Sequence, residues 1–148
     1  MSKSGRLIER DEQIGALLQS AKVVAVLGIK TEAAHDQPAF YVPQAVQSAG
    51  YRVIPVPVYY PEATKILGQP VFRSVAAIGE AIDIVDVFRR AKDLAAHADD
   101  IIAAKPGCVW LQTGIRDAAF TKRMLDAGID VVEDRCLMVE VKKHTPRK

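Results

Sequence analysis

The 148-residue chain has an ordinary globular composition, with 49% hydrophobic residues, 26% charged residues and a net charge of +2. This composition excludes a disordered chain, and the small positive charge gives no reason to expect a nucleic-acid partner. No apolar run is long enough to cross a membrane, and the N-terminal residues lack the apolar core of a signal peptide. With only two cysteines, we expect one cytoplasmic domain that spans residues 1–148 and does not bind a membrane.

The first elements are predicted from apolar periodicity and from prolines. A helix is predicted to precede residue 22, and the unbroken apolar run Val23–Leu27 then predicts a strand buried on both faces. A second helix is predicted to begin near Ala39 or Phe40. We prefer this start to Pro38, because the earlier start would place Pro43 deeper in the helix and predict a kink.

The rest of the chain alternates between predicted strands and helices. Strands are predicted at 51–56, at 68–72 (short at best), at 82–88, at 108–111 and at 129–133. Ser74 is predicted to cap a brief helix, Leu94 and Ile101 to face inward from a longer one, and Asp117 to cap another. This order predicts an α/β fold, a doubly wound parallel sheet of about five or six strands with helices on both faces.

In such a sheet, ligands bind beyond the carboxyl ends of the strands. Here those ends lie at residues 28–30, 56–57, 88–90 and 112–114, and we expect them to converge on one edge. The first turn has one glycine, Gly28, where the dinucleotide fingerprint has three, and no acidic residue ends the second strand. Both marks of NAD binding are therefore missing, and the alternative for Gly28 is a plain tight turn.

Arg89 and Arg90 are the best candidates for binding a phosphate. They follow a buried strand directly, and guanidinium groups pair bidentately with phosphate. The alternative is a structural pair that binds Asp86 or Asp93.

The cysteines and histidines offer weaker candidates. A nucleophilic Cys136 needs a base or a lowered pKa, and the sequence identifies neither; the neighbouring Arg135 is expected to make structural hydrogen bonds. Cys108 and Trp110 are predicted to lie in the core. Of the three histidines, none has metal-ligand spacing, and only His35 is placed to reach the strand ends.

Five segments together resemble the small stand-alone CoA-binding proteins, which are similar to the CoA-binding domain of the succinyl-CoA ligase α subunit. These segments are VAVLG at 24–28, GYRVIPV at 50–56, DIVDVFRR at 83–90, VWLQ at 109–112 and DRC at 134–136. The resemblance covers residues 11–143 and leaves 144–148 as a basic tail. It implies a Rossmann-like fold that binds coenzyme A or an acyl-CoA as a small-molecule ligand.

The resemblance also implies where coenzyme A lies. Its phosphates and pantetheine are expected at the turn after the first strand, and its adenosine end near the loops after the second and fourth predicted buried strands. The implied contacts are Gly28, Ile29 and Lys30 for the first group, and Val56, Pro57, Val87, Phe88, Arg89 and Arg90 for the second. The family's G-x-S turn and P-V-N-P loop differ here, so a hydroxyl and an amide are missing, and the charge of Lys30 could compensate.

We therefore expect a CoA-binding module without catalysis of its own. The ligase that it resembles needs a histidine-bearing domain and a nucleotide-binding partner chain, for which 148 residues leave no room. Two alternatives stay open, a small NAD(P)-linked oxidoreductase and a regulatory subunit that responds to acyl-CoA. A homodimer is compatible with the fold.

Overall fold

The fold is built on a parallel sheet of five strands in the order β2-β1-β5-β6-β7. A computed structural model describes residues 4–145 of the chain. The strands, in chain order, are β1 (Val23–Leu27), β2 (Arg52–Val56), β3 (Lys65–Ile66), β4 (Gln69–Pro70), β5 (Ile84–Val87), β6 (Cys108–Leu111) and β7 (Asp130–Val132). The predicted doubly wound α/β sheet is therefore confirmed, with five strands in the sheet.

Helices cover both faces of the sheet. The α-helices are α1 (Asp11–Ser20), α2 (Pro38–Ser48), α3 (Ala98–Ala104), α4 (Ala118–Asp126) and α5 (Leu137–His144). Helices α1, α2 and α5 pack together over one face, and α3 and α4 over the other. Within the described residues, no helix is long and apolar enough to cross a membrane.

Strand β1 shows why an unbroken apolar run is needed at the centre of the sheet. Val24 and Val26 belong to the core under α1, α2 and α5, whereas Ala25 and Leu27 belong to the core under α3 and α4. Because successive side chains of a strand point to opposite faces, a strand with two covered faces must be apolar at every position. Trp110 and Cys108 are buried in the first of these cores, as predicted.

Helix α2 begins at Pro38, so the prediction of a later start was wrong. Pro43 lies inside the helix and has no N–H to give to the carbonyl of Ala39, four residues earlier. The backbone N–H of Lys30 donates to that carbonyl instead, at 3.1 Å. A partner from the turn after β1 thus replaces the missing hydrogen bond, and it ties the start of α2 to that turn.

The segment predicted as a short strand at 68–72 does not join the main sheet. It contributes β4 to a small antiparallel hairpin, in which Lys65 pairs with Pro70 and Ile66 with Gln69. The predicted helix containing Leu94 begins as a 3-10 segment, Ala91–His97, before α3. The hairpin and the 3-10 segment are both short, and local apolar periodicity does not show which other segments they pair or pack with.

The predicted helix caps and the predicted basic tail can each be compared with the structure. Asp117 accepts a hydrogen bond from the N–H of Phe120 at 2.9 Å, so the predicted cap of α4 is confirmed. The Ser74 hydroxyl accepts from the N–H of Ala77 at 3.2 Å at the start of the 3-10 turn Ala76–Ile78. The predicted basic tail is partly helical, since α5 reaches His144, and residues 146–148 lie outside the described residues.

The chain passes from β1 to β2 on one side of β1, and it then returns to β5 on the other side. The topological switch point therefore lies between the ends of β1 and β5. Gly28 ends β1 with a φ of +87°, and a Cβ built on it would lie 2.5 Å from the carbonyl oxygen of Phe88. The N–H of Phe88 in turn donates to the carbonyl of Leu27 at 2.9 Å. Gly28 is therefore required by a positive φ and by the close approach of two strand ends.

Candidate functional site

Two clefts open at the carboxyl edge of the sheet, one on each side of the switch point. The first has a volume of about 530 Å³, and we call it the basic cleft. It is lined by Lys30, Gln37, Pro38, Ala39, Tyr41, Val42, Phe88, Arg89, Arg90, Gln112, Thr113, Ile115, Cys136 and Met138.

The second cleft has a volume of about 540 Å³, and we call it the tyrosine cleft. It is lined by Leu27, Pro57, Val58, Tyr59, Tyr60, Pro61, Arg73, His97 and Asp100. The four strand ends therefore share one edge of the sheet, as expected, but they divide between two clefts.

Arg89 lies between the two clefts. It lines the basic cleft, and its guanidinium carbon lies 5.5 Å from the ring centre of Tyr59, which lines the tyrosine cleft. Its side chain is only 16% exposed, and it lies 3.7 Å from the carboxylate of Asp93. Its Nε is buried without a hydrogen-bond partner. A buried donor without a partner lowers the stability of the fold. The Arg89 Nε is therefore suited to donate to an acceptor atom of a bound ligand.

Arg90 is held more loosely than Arg89. Its side chain is 71% exposed, and its Nε lies 3.1 Å from the same Asp93 carboxylate. The structural pairing with Asp93 that the sequence left open is therefore present for both arginines. One carboxylate facing two guanidinium groups leaves donors of both arginines for a further anion.

Lys30 enters the basic cleft from the turn after β1. Its ammonium group donates to the side-chain amide oxygen of Gln37, the N-cap residue of α2. The backbone of Lys30 is held by the carbonyl of Ala39. Both contacts place this positive charge near the N-terminus of α2, where the helix dipole also favours an anion.

Asp86 lies in the middle of β5 with 0% exposure, and neither of its carboxylate oxygens has a hydrogen-bond partner. Its neighbours in the sheet are Val26 on one side and Trp110 on the other. Burial raises the pKa of Asp86 well above its ordinary value, because an isolated charge is strongly disfavoured in an apolar interior. The sequence's suggested pairing of the arginines with Asp86 is therefore wrong.

The loop of the tyrosine cleft is held by Arg73, which sequence reasoning missed. Its guanidinium donates to the carbonyls of Tyr59 at 3.4 Å, Tyr60 at 3.1 Å, Pro61 at 3.1 Å and Ala63 at 2.7 Å. A side chain committed to four carbonyl oxygens stabilises the loop. No local pattern marks it, since the acceptors lie 10 to 14 residues earlier in the chain.

The acidic residue of the tyrosine cleft is also committed to the backbone. The carboxylate of Asp100 accepts from the N–H of Val75 at 2.7 Å and from that of Ala76 at 3.0 Å. It thus caps the 3-10 turn Ala76–Ile78 from a distant helix. We conclude that neither charged group of this cleft is placed primarily for a ligand.

His97, rather than the predicted His35, is the histidine at these strand ends. His97 lines the tyrosine cleft, whereas His35 is exposed and lines neither cleft. Burial lowers the pKa of His97 below its ordinary value, and the charge of Arg89 lowers it further. Sequence reasoning missed His97 because the spacing of its helix placed it only at the edge of an apolar face.

Three of the predicted site residues have buried side chains. Ile29, Val56 and Val87 are packed in the two cores, so a ligand could not reach their side chains. Lys30, Phe88, Arg89 and Arg90 line the basic cleft, and Pro57 lines the tyrosine cleft. The predicted set is thus brought to one edge, with Gly28 between the clefts.

Gln112 and Cys136 lie at the β6 and α5 side of the basic cleft. The Gln112 side-chain oxygen accepts from the N–H of Leu137 at 3.1 Å. Arg135 makes the structural contacts expected of it, since its carbonyl accepts from the indole N–H of Trp110 at 2.8 Å and its guanidinium donates to a backbone carbonyl.

A third group of titratable residues lies away from both clefts. Oxygen and nitrogen atoms of Asp11, Glu140 and His144 lie within 4.8 Å of one another. Arg135 and Lys143 already pair with these carboxylates, with Lys143 at 2.9 Å from Asp11 and Arg135 at 3.7 Å from Glu140. The group is therefore an ion network that joins α1 to α5.

Comparison with known proteins shows the family to which the chain belongs. The model of the family described as CoA binding domain matches residues 22–142. The chain belongs to this CoA-binding domain family. The resemblance drawn from the five sequence segments is thereby confirmed.

Individual members and neighbours are similar over most of the chain. The uncharacterized protein YneT of Bacillus subtilis (strain 168) is 32% identical over 127 residues, which cover 86% of this chain and 90% of that protein. A Thermus thermophilus structure described as cell-free ID.343 is 41% identical, with a TM-score of 0.83, and the match covers 92% of this chain and 99% of that one.

A larger enzyme shares the fold. An acetyl-coenzyme A synthetase of Ca. Korarchaeum cryptofilum, in complex with phosphate and ADP, matches with a TM-score of 0.63 at 16% identity. The match covers 74% of this chain and 25% of that one. At this identity the likeness to the synthetase shows the fold alone.

Proposed function

We propose that this protein binds coenzyme A or an acyl-CoA across the two clefts, as a binding module. Family membership supports the ligand class. The observation that carries the proposal is the charge of the basic cleft. It is lined by Lys30, Arg89 and Arg90, and among residues 4–145 no aspartate or glutamate lines it.

This charge pattern suits the phosphates of the ligand. The pyrophosphate would lie near Lys30, at the N-terminus of α2, and Arg89 would contact it with the donor that is now buried and unpartnered. Gly28 would contribute backbone contacts, and Ile29, whose side chain is buried, would support the turn from the core.

The adenosine end fits the tyrosine cleft. Tyr59 and His97 supply flat rings there, and Pro57 supplies an apolar surface. Val56 and Val87, buried beneath this edge, would support the site through their backbone. The pantetheine arm would then run from Phe88 through the basic cleft toward Cys136.

Isothermal titration calorimetry with coenzyme A, NAD, NADP and FAD tests the proposal. We expect heat with coenzyme A, at micromolar or weaker affinity, and little with the others. Binding of NADP without binding of coenzyme A would overturn it and favour the oxidoreductase alternative, which a hydride-transfer assay with NADPH would then check. A pull-down with and without coenzyme A tests for a regulated partner.

A further inference from the structure

The proposed binding mode leaves two side chains of the basic cleft without a role. Cys136 is half-buried and is the N-cap residue of α5, and Gln112 follows the end of β6. Both line the basic cleft. A thiol in a cleft is not by itself a reactive site, and Gln112 is the second polar group beside it.

Gln112 is a buried residue whose side-chain NH2 group is free. The residue is 8% exposed, and its side-chain oxygen is taken up by the N–H of Leu137 at 3.1 Å. Its Nε2 makes no hydrogen bond to any residue of the range 4–145. Because the oxygen is held, the amide nitrogen is the group left to donate to a ligand in the cleft. Leu137 directly follows Cys136, so this hydrogen bond holds the Gln112 amide at the start of α5, and both Gln112 and Cys136 line the basic cleft.

We propose that Cys136 accepts the acyl group of an acyl-CoA bound in the basic cleft, with Gln112 as hydrogen-bond donor to the thioester oxygen. The inference rests on the proposed function. The Cys136 sulfur, having lost its proton to water, attacks the thioester carbonyl carbon and forms a new carbon–sulfur bond. The carbonyl electron pair moves to oxygen, and its return breaks the bond to the sulfur of coenzyme A. Coenzyme A leaves as a thiolate that takes up a proton, and a thioester remains on Cys136.

The surroundings of Cys136 suit the negative charge that develops on the oxygen. Gln112 offers its amide N–H to that oxygen, and the N-terminal end of α5 favours negative charge at the same place. Such a donor is held before the reaction, so it need not reorganise during it. The reaction consumes one acyl group per protein and needs no oxidant.

The second cysteine provides a matched control. Cys108 lies in β6 with 0% exposure, and burial raises the pKa of its thiol. It cannot meet a ligand in the folded protein. Cys108→Ser should therefore leave acylation intact.

The test is to incubate the whole protein with acetyl-CoA and to follow its intact mass. We expect one acetyl group on Cys136, located by peptide mapping, removed by hydroxylamine and accompanied by an equal amount of free coenzyme A. Cys136→Ser should give no adduct. If calorimetry shows coenzyme A binding but no adduct forms, this inference is wrong and the proposed function stands; if coenzyme A does not bind, the proposed function itself is wrong.

Gln112→Glu separates a reactive site from an exposed thiol. Glutamate still accepts the Leu137 N–H, but it removes the donor and adds a negative charge. We expect the acylation rate at saturating acetyl-CoA to fall about 10²- to 10³-fold. The alkylation rate of Cys136 with iodoacetamide should fall much less, because it responds to the thiolate fraction, which the added charge lowers, and not to the loss of the donor to the thioester oxygen. An unchanged acylation rate, or equal loss in both reactions, would overturn the role of Gln112.

Discussion

The basic cleft and the tyrosine cleft have nearly equal volumes, about 530 and 540 Å³, and they lie at the same edge of the sheet. They differ in what their charged groups already bind. In the tyrosine cleft, Arg73 is committed to four carbonyls and Asp100 to two backbone N–H groups. In the basic cleft, Arg89 and Arg90 share the single carboxylate of Asp93.

The difference shows that the number of charged residues does not identify an anion site. Both clefts contain arginine, but among the described residues the guanidinium atom that is buried without a partner belongs to Arg89 of the basic cleft, whereas Arg73 of the tyrosine cleft is bound to four carbonyls. We therefore assign the phosphates to the basic cleft and the adenosine ring to the tyrosine cleft. The predictions below test this division and the backbone between the clefts.

The largest expected effect is on stability, at the point where the two clefts meet. Gly28→Ala should lower the free energy of unfolding by about 3 kcal/mol, because it combines a positive φ with a backbone contact. A Cβ there would lie 2.5 Å from the Phe88 carbonyl oxygen. Urea denaturation measures the loss.

Gly114→Ala is the matched control. Gly114 also has a positive φ, +84°, but a Cβ would meet no atom within 4 Å. It should cost only about 1 kcal/mol, the conformational part alone. If both variants lost the same free energy of unfolding, the two strand ends would move apart to accept the Cβ, and Gly28 would be an ordinary turn residue.

The two arginines of the basic cleft should differ in their effect on ligand affinity. Arg89→Met should weaken coenzyme A binding by about 10- to 100-fold, because it removes a largely buried, charge-assisted donor. Arg90→Met should weaken it by about 3-fold or less, because Arg90 is mostly exposed and solvent screens it. Calorimetry measures both.

Arg52→Met is the control for net charge, since Arg52 pairs with Glu80 at the opposite end of β2. It should leave the affinity unchanged. If Arg89→Met also left it unchanged, Arg89 would be a structural residue only, and the phosphates would have to lie elsewhere.

Asp86, in the strand whose end separates the clefts, should make stability depend on pH. Burial raises its pKa in the folded state, so the folded protein holds a proton that the unfolded chain releases above its ordinary pKa of 3.8. Stability should therefore fall as the pH rises above about 4, by up to about 1.4 kcal/mol per pH unit, until the pH passes the folded pKa.

Asp86→Asn removes this titration. Urea denaturation at pH 4 and pH 8 should show the variant gaining on the natural protein as the pH rises. A stability difference that is the same at both pH values would show that Asp86 is not held neutral.

A smaller effect than that of Arg89→Met is expected at Tyr59, whose ring lies between the two clefts. Tyr59→Ala removes the ring 5.5 Å from the Arg89 guanidinium, a contact worth about 0.5–1 kcal/mol at an exposed site. Coenzyme A affinity should fall by about 2- to 5-fold. Tyr59→Phe keeps a ring and should retain most of the affinity. Equal losses would instead assign the effect to the phenol hydroxyl.

The sequence alone determined the architecture of this protein. The apolar run of β1, the alternation of strands with helices and the cap at Asp117 each depend on residues that are close in the chain. Such patterns predict local structure and the edge at which strand ends meet. The sequence also predicted Lys30, Arg89 and Arg90 as ligand contacts, because each lies within three residues of a strand end, and the structure places all three in the basic cleft.

Only the tertiary structure decided which of these residues are available. It buried the side chains of Ile29 and Val56, used a Lys30 N–H to complete α2, and fixed the Gln112 amide through Leu137. Each of these outcomes depends on a partner that lies far along the chain or on another element. Local spacing carries no record of such partners, because hydrogen bonding and burial are set by which elements pack together.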